Sequence, residues 1–218
     1  MSVEKLVLKS REEWLAKRQS FIGGSDVSSI LGLNPYMNNV ELWEIKTGRH
    51  TKEDISDKPY VKYGIDAEPH IRAIYGLNHP EQTVFYEEHN IWLNDRYPYA
   101  HASLDGWIED TEGRKGVLEI KTTTILRSMQ KEDWGTVKEP KLPQSYYCQV
   151  LWYLMVTEFD YANLIALIRY SDEYSALREY HIERSEAEED IEYIRSRAEK
   201  FAEMVKENIK PGLILPEI

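Results

Sequence analysis

The chain has 218 residues, a net charge of −11 and one cysteine, Cys148. This length is enough for one domain with a hydrophobic core, and a single cysteine cannot supply a disulfide framework or the thiolates of an iron–sulfur cluster or structural zinc site. The acidic balance argues against a protein that coats nucleic acid through a broad basic face, and the lack of a long apolar run leads us to expect a cytosolic protein without a membrane span.

Four helices are predicted in the N-terminal part, residues 10–76, from caps, apolar spacing and glycine stops. They run from Ser10 to about Ser20, from Asp26 to Leu31, from Val40 to Thr47 and from Tyr60 to Tyr75. Ser10, with Glu13 three residues later, is expected to cap the first helix. Ser25 and Asn39 are expected to cap the second and third helices, which Gly32 and Gly48 follow. The fourth is expected to end at Gly76. Its buried stripe is expected to consist of Ile65, Ile71, Ile74 and Tyr75.

A β-sheet and two further helices are predicted in the rest of the chain. The strand-like segments are Thr83–Glu88, His101–Glu109, Gly116–Thr122, Tyr161–Tyr170 and Ala176–Glu183. Pro143 opens an apolar helix between the third and fourth strands, and a polar helix from Glu186 to about Asn208 follows the fifth. The segment 123–142 has only weak periodicity. We therefore expect an α/β fold with a single domain over residues 1–218, in which the sheet and its helices occupy 83–183.

Two short motifs place carboxylates on neighbouring predicted strands. Asp105 and Gly106 lie near the end of one strand, and Leu118-Glu119-Ile120-Lys121 lies in the middle of the next. Because strand residues two apart share a face, Glu119 and Lys121 project together while their aliphatic neighbours are buried on the other side. Two carboxylates from adjacent strands can hold Mg²⁺ or Mn²⁺, and a nearby ammonium can orient or deprotonate the attacking water. The pattern indicates metal-dependent phosphodiester cleavage.

Each motif alone has a simpler interpretation. Asp-Gly is a common hairpin-turn sequence. Glu119 and Lys121 could equally form a weak, solvated ion pair on the surface of a strand. The combination favours a joint site, because branched aliphatic residues bracket the charges of the second motif.

Three other residues have two possible interpretations. Glu68 could be a third carboxylate at the site, since Gly64 one turn earlier allows the helix to approach the sheet, or it could be a solvated helix residue. Arg18 and Ser25 could form an anion site with the first amides of a helix, or they could simply stabilise the ends of their own helices. Local sequence alone favours the purely structural interpretation for all three.

Six short motifs follow one another along the chain. They are Trp14-x-x-x-Arg18, Ile22-Gly23-Gly24-Ser25-Asp26, Tyr63-Gly64-x-x-x-Glu68, Ser103-Leu104-Asp105-Gly106, Leu118-Glu119-Ile120-Lys121 and Tyr147-Cys148-Gln149-Val150. In this order they resemble the phage lambda exonuclease family, also called YqaJ-like viral recombinases, over about residues 10–160. The resemblance implies a PD-(D/E)xK nuclease with a restriction-endonuclease-like core, in which helices flank a mixed central β-sheet.

The resemblance also implies a role for each of eight residues. Those at the metal site would be Asp105, Glu119, Glu68 and Ile120. Lys121 would position or activate water, and Gln149 would lie beside the catalytic residues. Arg18 and Ser25 would hold a terminal 5′-phosphate, so the anion site becomes the favoured interpretation of this pair. Leu104 stands where the family usually has proline, a difference that affects backbone stiffness rather than ligand chemistry.

The function implied by the resemblance is a Mg²⁺-dependent 5′-to-3′ exonuclease, with Mn²⁺ as a possible substitute, that degrades linear double-stranded DNA for phage-type homologous recombination. The family further implies a homo-oligomer, a trimer, that cooperates with a single-strand annealing protein in the cytoplasm of a bacterial cell. Two alternatives stay open. A PD-(D/E)xK endonuclease of restriction or repair type would nick closed circular DNA. A non-catalytic module that binds DNA ends or a recombination partner would shift DNA in EDTA and form no product with Mg²⁺.

Overall fold

The computed structural model describes residues 2–51, 53–125, 133–136, 139–171 and 173–215, so positions 126–132 and 137–138 of the weakly periodic segment lie outside the described residues. The strands are β1 Val3–Val7, β2 Thr83–Phe85, β3 Asn90–Asn94, β4 Gly106–Glu109, β5 Lys115–Thr124, β6 Tyr161–Arg169 and β7 Ser175–Glu183. The helices are α1 Arg11–Gln19, α2 Gly24–Ile30, α3 Asn39–Lys46, α4 Pro59–Asn78, α5 Gln144–Thr157 and α6 Glu188–Glu207, the last preceded by a 3₁₀ turn at Arg184–Glu186. Within these ranges no helix is both long and apolar enough to cross a bilayer.

Five strands form the central sheet in the order β2-β4-β5-β6-β7. The pair β5 and β6 is parallel, and α5 lies between these two strands in the chain, whereas the other neighbouring pairs are antiparallel. A separate two-stranded antiparallel sheet pairs β1 with β3. The prediction of a mixed central sheet flanked by helices is therefore confirmed.

Both faces of β5 are covered by helices. Leu118 and Ile120 pack with Ile71 and Tyr75 of α4 in one apolar cluster, and Val117 belongs to the larger cluster that contains α5. Because successive strand residues alternate between faces, α4 and α5 lie on opposite sides of this strand. Every residue of α5 from 148 to 157 is buried. A polar side chain that projects from β5 towards α5 is therefore held in a tightly packed environment.

The second helix begins earlier than predicted. Gly23, not Ser25, occupies the N-cap position, and α2 starts at Gly24. The cap prediction failed because an N-cap residue needs only extended backbone and a carbonyl that accepts the first helical hydrogen bond, and Gly23 supplies both without a side chain. Ser25 consequently lies within the first turn of α2.

The third helix is capped by Asn38 rather than by Asn39. The side-chain oxygen of Asn38 accepts hydrogen bonds from two backbone N–H groups of the first turn. Asn39 is buried, and its side chain binds the backbone of the C-terminal tail, donating to the carbonyl of Gly212 over 2.7 Å and accepting from the N–H of Ile214 over 2.9 Å. Two adjacent asparagines are equally good caps in sequence, and the contact with the distant tail distinguishes them.

The predicted apolar stripe of α4 is partly wrong. Ile71 and Tyr75 are buried, but Ile65 and Ile74 are 53% and 39% exposed. Ile65 and Ile74 are nine residues apart, which at about 100° per residue points them roughly 180° apart, so one stripe cannot contain both. The helix also continues past Gly76 to Asn78.

Strand pairing differs from the prediction at the start of β4 and at the N-terminus. Residues 101–105 are not part of a continuous strand, and only an isolated bridge joins Ala102 to Trp92. The strands β1 and β3 were not predicted. Each has five residues, and their pairing spans more than 80 positions of sequence, so no local signal marks it.

Candidate functional site

The site begins where β4 meets β5. In the antiparallel ladder Gly106 pairs with Leu118, so Asp105 comes immediately before β4 at the level of Glu119. The carboxylate oxygen Oδ2 of Asp105 accepts a hydrogen bond of 2.9 Å from the backbone N–H of Ile120. This bond fixes Asp105 against β5. The turn between the two strands lies farther along, where the N–H of Gly113 donates to the carbonyl of Asp110, so the hairpin interpretation of Asp105-Gly106 is wrong.

Glu119 and Lys121 project from the face of β5 opposite to Leu118 and Ile120, as the alternation in the sequence predicts. Glu119 is only 1% exposed. Its Oε1 accepts hydrogen bonds from Lys121 Nζ over 2.6 Å and from Gln149 Nε2 over 2.8 Å. Its Oε2 is buried and has no hydrogen-bond partner within the described ranges. A buried carboxylate oxygen without a donor is costly unless a cation or another donor binds it.

Three carboxylates interact unfavourably at this site. Burial, followed by the charge of Asp105, raises the pKa of Glu119 to about 8, against the opposing effect of Lys121. Burial and Asp105 also raise the pKa of Glu68 to about 7. Burial disfavours the charge of Lys121, but Glu119 and Asp105 outweigh that effect and raise the pKa of the ammonium group. These surroundings therefore disfavour the charged forms of Glu119 and Glu68, and a bound cation would favour them.

The donor set fits a hard divalent cation held by few protein ligands. In the part of the chain that the structure describes, no three His, Cys, Asp or Glu side chains are gathered into a ready-made metal cage. Mg²⁺ is commonly held by one or two carboxylates, with water and substrate phosphate as the remaining ligands. Asp105 and the unpartnered oxygen of Glu119 supply such a pair. Ile120 could contribute only its backbone carbonyl, because its side chain is in the core and its N–H donates to Asp105.

Two side chains of α5, Gln149 and Tyr153, hold Glu119 in place from the helix that covers this face of β5. Gln149 Nε2 lies 2.8 Å from both Glu119 Oε1 and the Tyr153 hydroxyl. Both side chains are buried, and burial raises the pKa of the Tyr153 hydroxyl. Sequence reasoning missed Tyr153. Its spacing of four residues from Gln149 on one helix was the available signal.

Arg18 and Ser25 line the same cavity, which has a volume of about 430 Å³ and lies between α1, α2, α3 and the start of α4. The guanidinium of Arg18 stacks over the Trp14 ring at 4.1 Å from its centroid. Lys46 also lines the cavity and forms an ion pair of 2.8 Å with Asp26. The sequence-predicted pair is therefore brought together at a cavity that can admit a small anion.

The cavity and the carboxylates are separated by the first turn of α2. A Cβ added at Gly24 would lie 2.5 Å from Tyr153 Cε1 and 3.0 Å from Gln149 Cγ, and one at Gly23 would lie 2.5 Å from His101 Cε1. The bare backbone of α2 thus packs directly on the two side chains that border Glu119. Glu68 reaches Asp105 electrostatically from α4. This helix approaches β5 closely at Gly64, where an added Cβ would lie 3.2 Å from the hydroxyl of Thr122.

Comparisons with known proteins agree with this arrangement. The family model described as the YqaJ-like viral recombinase domain matches residues 13–160. The uncharacterized protein YqaJ of Bacillus subtilis (strain 168) is 33% identical over 153 residues, which are 70% of this chain but only 44% of that protein. The chain therefore spans less than half the length of this relative.

Two solved structures resemble the fold. An alkaline exonuclease (LHK-Exo) from Laribacter hongkongensis, also solved in complex with dAMP, has a TM-score of 0.67 at 21% identity, covering 91% of this chain and 94% of that one. A phage related exonuclease from Haemophilus somnus 129PT has a TM-score of 0.50 at 14% identity, covering 87% of this chain and 96% of that one. At these identities the likeness establishes a shared fold.

Proposed function

Because the chain belongs to the YqaJ-like viral recombinase domain family, we propose that it is a metal-dependent nuclease that degrades linear double-stranded DNA from 5′ ends during phage-type recombination. One observation carries this proposal: Asp105 and Glu119 converge beside Lys121, and among the described residues nothing donates to the buried second oxygen of Glu119. The fold shared with exonucleases adds support.

Each residue of the site has a role in this proposal. Asp105 and Glu119 would hold Mg²⁺ or Mn²⁺, with Glu68 as a further acidic group. When bound, the cation would polarise a water molecule and offset charge on the phosphate. Lys121 orients that water, because its position is fixed by its bond to Glu119. Gln149 keeps the carboxylate of Glu119 in place and leaves the second oxygen available.

The cavity at Arg18 and Ser25 would bind the terminal 5′-phosphate. A guanidinium can donate two parallel hydrogen bonds to a phosphate, and stacking on Trp14 restricts its orientation. The first turn of α2 lines this cavity and packs on Gln149 and Tyr153, and Gln149 binds Glu119, so a phosphate bound there would be on the side of α2 next to the carboxylates. Such an end-binding pocket converts a phosphodiesterase centre into an exonuclease.

A digestion assay tests both parts of the proposal. Linear duplexes with a 5′-phosphate or a 5′-hydroxyl, labelled uniformly within their strands, are incubated with the protein and Mg²⁺. We expect mononucleotide product, formed faster from the phosphorylated end, and no product in EDTA. Equal rates on the two ends would reject the pocket. Nicking of closed circular DNA would favour the endonuclease alternative, and a DNA shift without any product would favour the binding module.

Variants test the metal ligands. Asp105→Asn and Glu119→Gln each remove a charged ligand with little change in size, so we expect both to abolish turnover. Glu109→Gln is the matched control, since Glu109 is an exposed acid at the other end of β4, and it should keep full activity. Full activity in Asp105→Asn would reject the metal assignment.

We also propose, from the family alone, that the protein forms a homo-oligomer, a trimer, that works in the bacterial cytoplasm with a single-strand annealing protein. Light scattering coupled to size-exclusion chromatography measures the oligomer directly. A monomer at micromolar concentration would contradict this part of the proposal without affecting the chemistry of the site.

A further inference from the structure

Arg72 is a second cation at the site that the family motifs do not include. It follows Glu68 by four residues on α4, so the two side chains leave the same face of the helix. Its Nε donates a 2.7 Å hydrogen bond to the backbone carbonyl of Asp105. Its charge is felt by Glu68, where it partly offsets the rise in pKa caused by burial and by Asp105.

The orientation of the Arg72 guanidinium is fixed on two sides. Its central carbon lies 3.7 Å from the centroid of the Tyr86 ring, a distance typical of a guanidinium stacked on an aromatic face. The bond from Nε to Asp105 prevents rotation in the plane of that stack. Among the described residues, neither terminal nitrogen of Arg72 has a hydrogen-bond partner. A planar donor is therefore held in place with its two outer nitrogens available.

A nuclease site of this composition needs such a group. An incoming phosphodiester is negatively charged, while Asp105, Glu119 and Glu68 already repel one another, and the chain as a whole carries −11. Lys121 donates a hydrogen bond to Glu119, so its charge is partly neutralised and it attracts a phosphate less strongly. Arg72 is not neutralised by an ion pair of 4 Å or less within the described ranges.

We propose that Arg72 binds a phosphate group of the DNA strand next to Asp105, through the two terminal nitrogens of its guanidinium. The proposal rests on the nuclease function above and deepens it by assigning a substrate-binding residue. Tyr86 and the carbonyl of Asp105 fix the guanidinium before DNA arrives, so little rotational freedom remains to be lost on binding. The alternative is purely structural: Arg72 would only hold the loop that carries Asp105.

Salt-dependent DNA binding separates these two roles. The affinity for a 5′-phosphorylated duplex is measured by fluorescence anisotropy at several salt concentrations, with Ca²⁺ in place of Mg²⁺ and a gel to check that the duplex stays intact. Arg72→Met keeps the stem over Tyr86 but removes the charge. We expect binding at least about tenfold weaker, as for loss of a charge-assisted hydrogen bond. The slope of log Kd against log salt should fall by about one phosphate contact.

Two further variants complete the test. Arg72→Lys keeps the charge, so the salt slope should stay at the wild-type value, while affinity falls because an ammonium cannot make the forked contact. Arg195→Ala is the matched control, since Arg195 is engaged by Glu192 and Glu199 on α6, and it should change neither quantity. Should Arg72→Met fail to fold, as judged by thermal unfolding, the affinity of Arg72→Lys decides the question.

Wild-type affinity and slope in Arg72→Met, even with reduced turnover, would overturn the proposal and leave Arg72 a support for Asp105. Wild-type affinity in Arg72→Lys would do the same. A wild-type protein that neither binds nor degrades DNA would instead overturn the nuclease function itself, and this result is distinguishable because it appears before any variant is compared.

Discussion

Acid destabilisation through His101 is a quantitative test of the packing around the cavity. His101 is 2% exposed, and its Nδ1 has no hydrogen-bond partner in the described part of the chain. Burial, reinforced by the nearby Arg18, lowers its pKa to about 3. In an unfolded chain the same imidazole titrates near pH 6.5. Between these two values the unfolded chain binds the proton and the folded protein does not.

The sign and size of the effect follow from proton linkage. The contribution of neutral His101 to the free energy of unfolding is fully present above about pH 6.5. It is lost as the pH falls towards the pKa of His101 in the folded protein, about 3. From pH 7 to pH 5 the loss amounts to about 2 kcal/mol at 1.4 kcal/mol per pH unit, since the unfolded histidine is half protonated only at pH 6.5.

Urea unfolding at the two pH values measures this loss. In His101→Leu the titrating group is absent, so the variant should lose about 2 kcal/mol less than the wild type between pH 7 and pH 5. Comparing each protein with itself at the two pH values cancels the cost of the substitution, and subtracting the two losses cancels the titration of the other groups. Equal losses in the two proteins would refute the reasoning and would mean that His101 is accessible to protons in the folded state.

Three other predictions concern the packing of the site and the tail. Gly24→Ala should destabilise the protein by roughly 1–3 kcal/mol and slow DNA digestion, because its methyl group meets Tyr153 and Gln149. Gly212→Ala should do neither, since no atom of the described chain lies within 4 Å of a Cβ built there. Gln149→Ala should lower turnover in the digestion assay more than it lowers DNA affinity, because Glu119 loses one of its two donors. Asn39→Ala should lower the free energy of unfolding by about 1–3 kcal/mol and speed proteolysis of the C-terminal tail, since two backbone groups lose their partner.

Local sequence patterns were sufficient where the determining interactions are local. The alternation around Glu119 and Lys121 placed both side chains on the correct face of β5, because strand geometry alone dictates it. Ser10 was correctly identified as the cap of α1, where its side chain accepts from the N–H of Glu13. Gly32 and Gly48, which were predicted to follow the second and third helices, both have a positive φ. Glycine is common directly after a helix because residues with a side chain rarely adopt this conformation.

Long-range contacts determined the features that the sequence did not reveal. Asn39 was misassigned as a cap because its true partner is more than 170 residues away. Tyr153 contacts Gln149 on its own helix, but its value at the site depends on the contact of Gln149 with Glu119 of β5. Arg72 was missed because its contact is with the carbonyl of Asp105, outside its own helix. Only the fold brings these groups together.

A crystal soaked with Mn²⁺ and measured at an anomalous wavelength tests the central claim most directly. We expect one peak within bonding distance of both the Asp105 carboxylate and Oε2 of Glu119, the oxygen to which no described residue donates. The peak should disappear in Asp105→Asn. A wild-type crystal with no peak at these two carboxylates, at a Mn²⁺ concentration that supports DNA degradation in solution, would contradict the account.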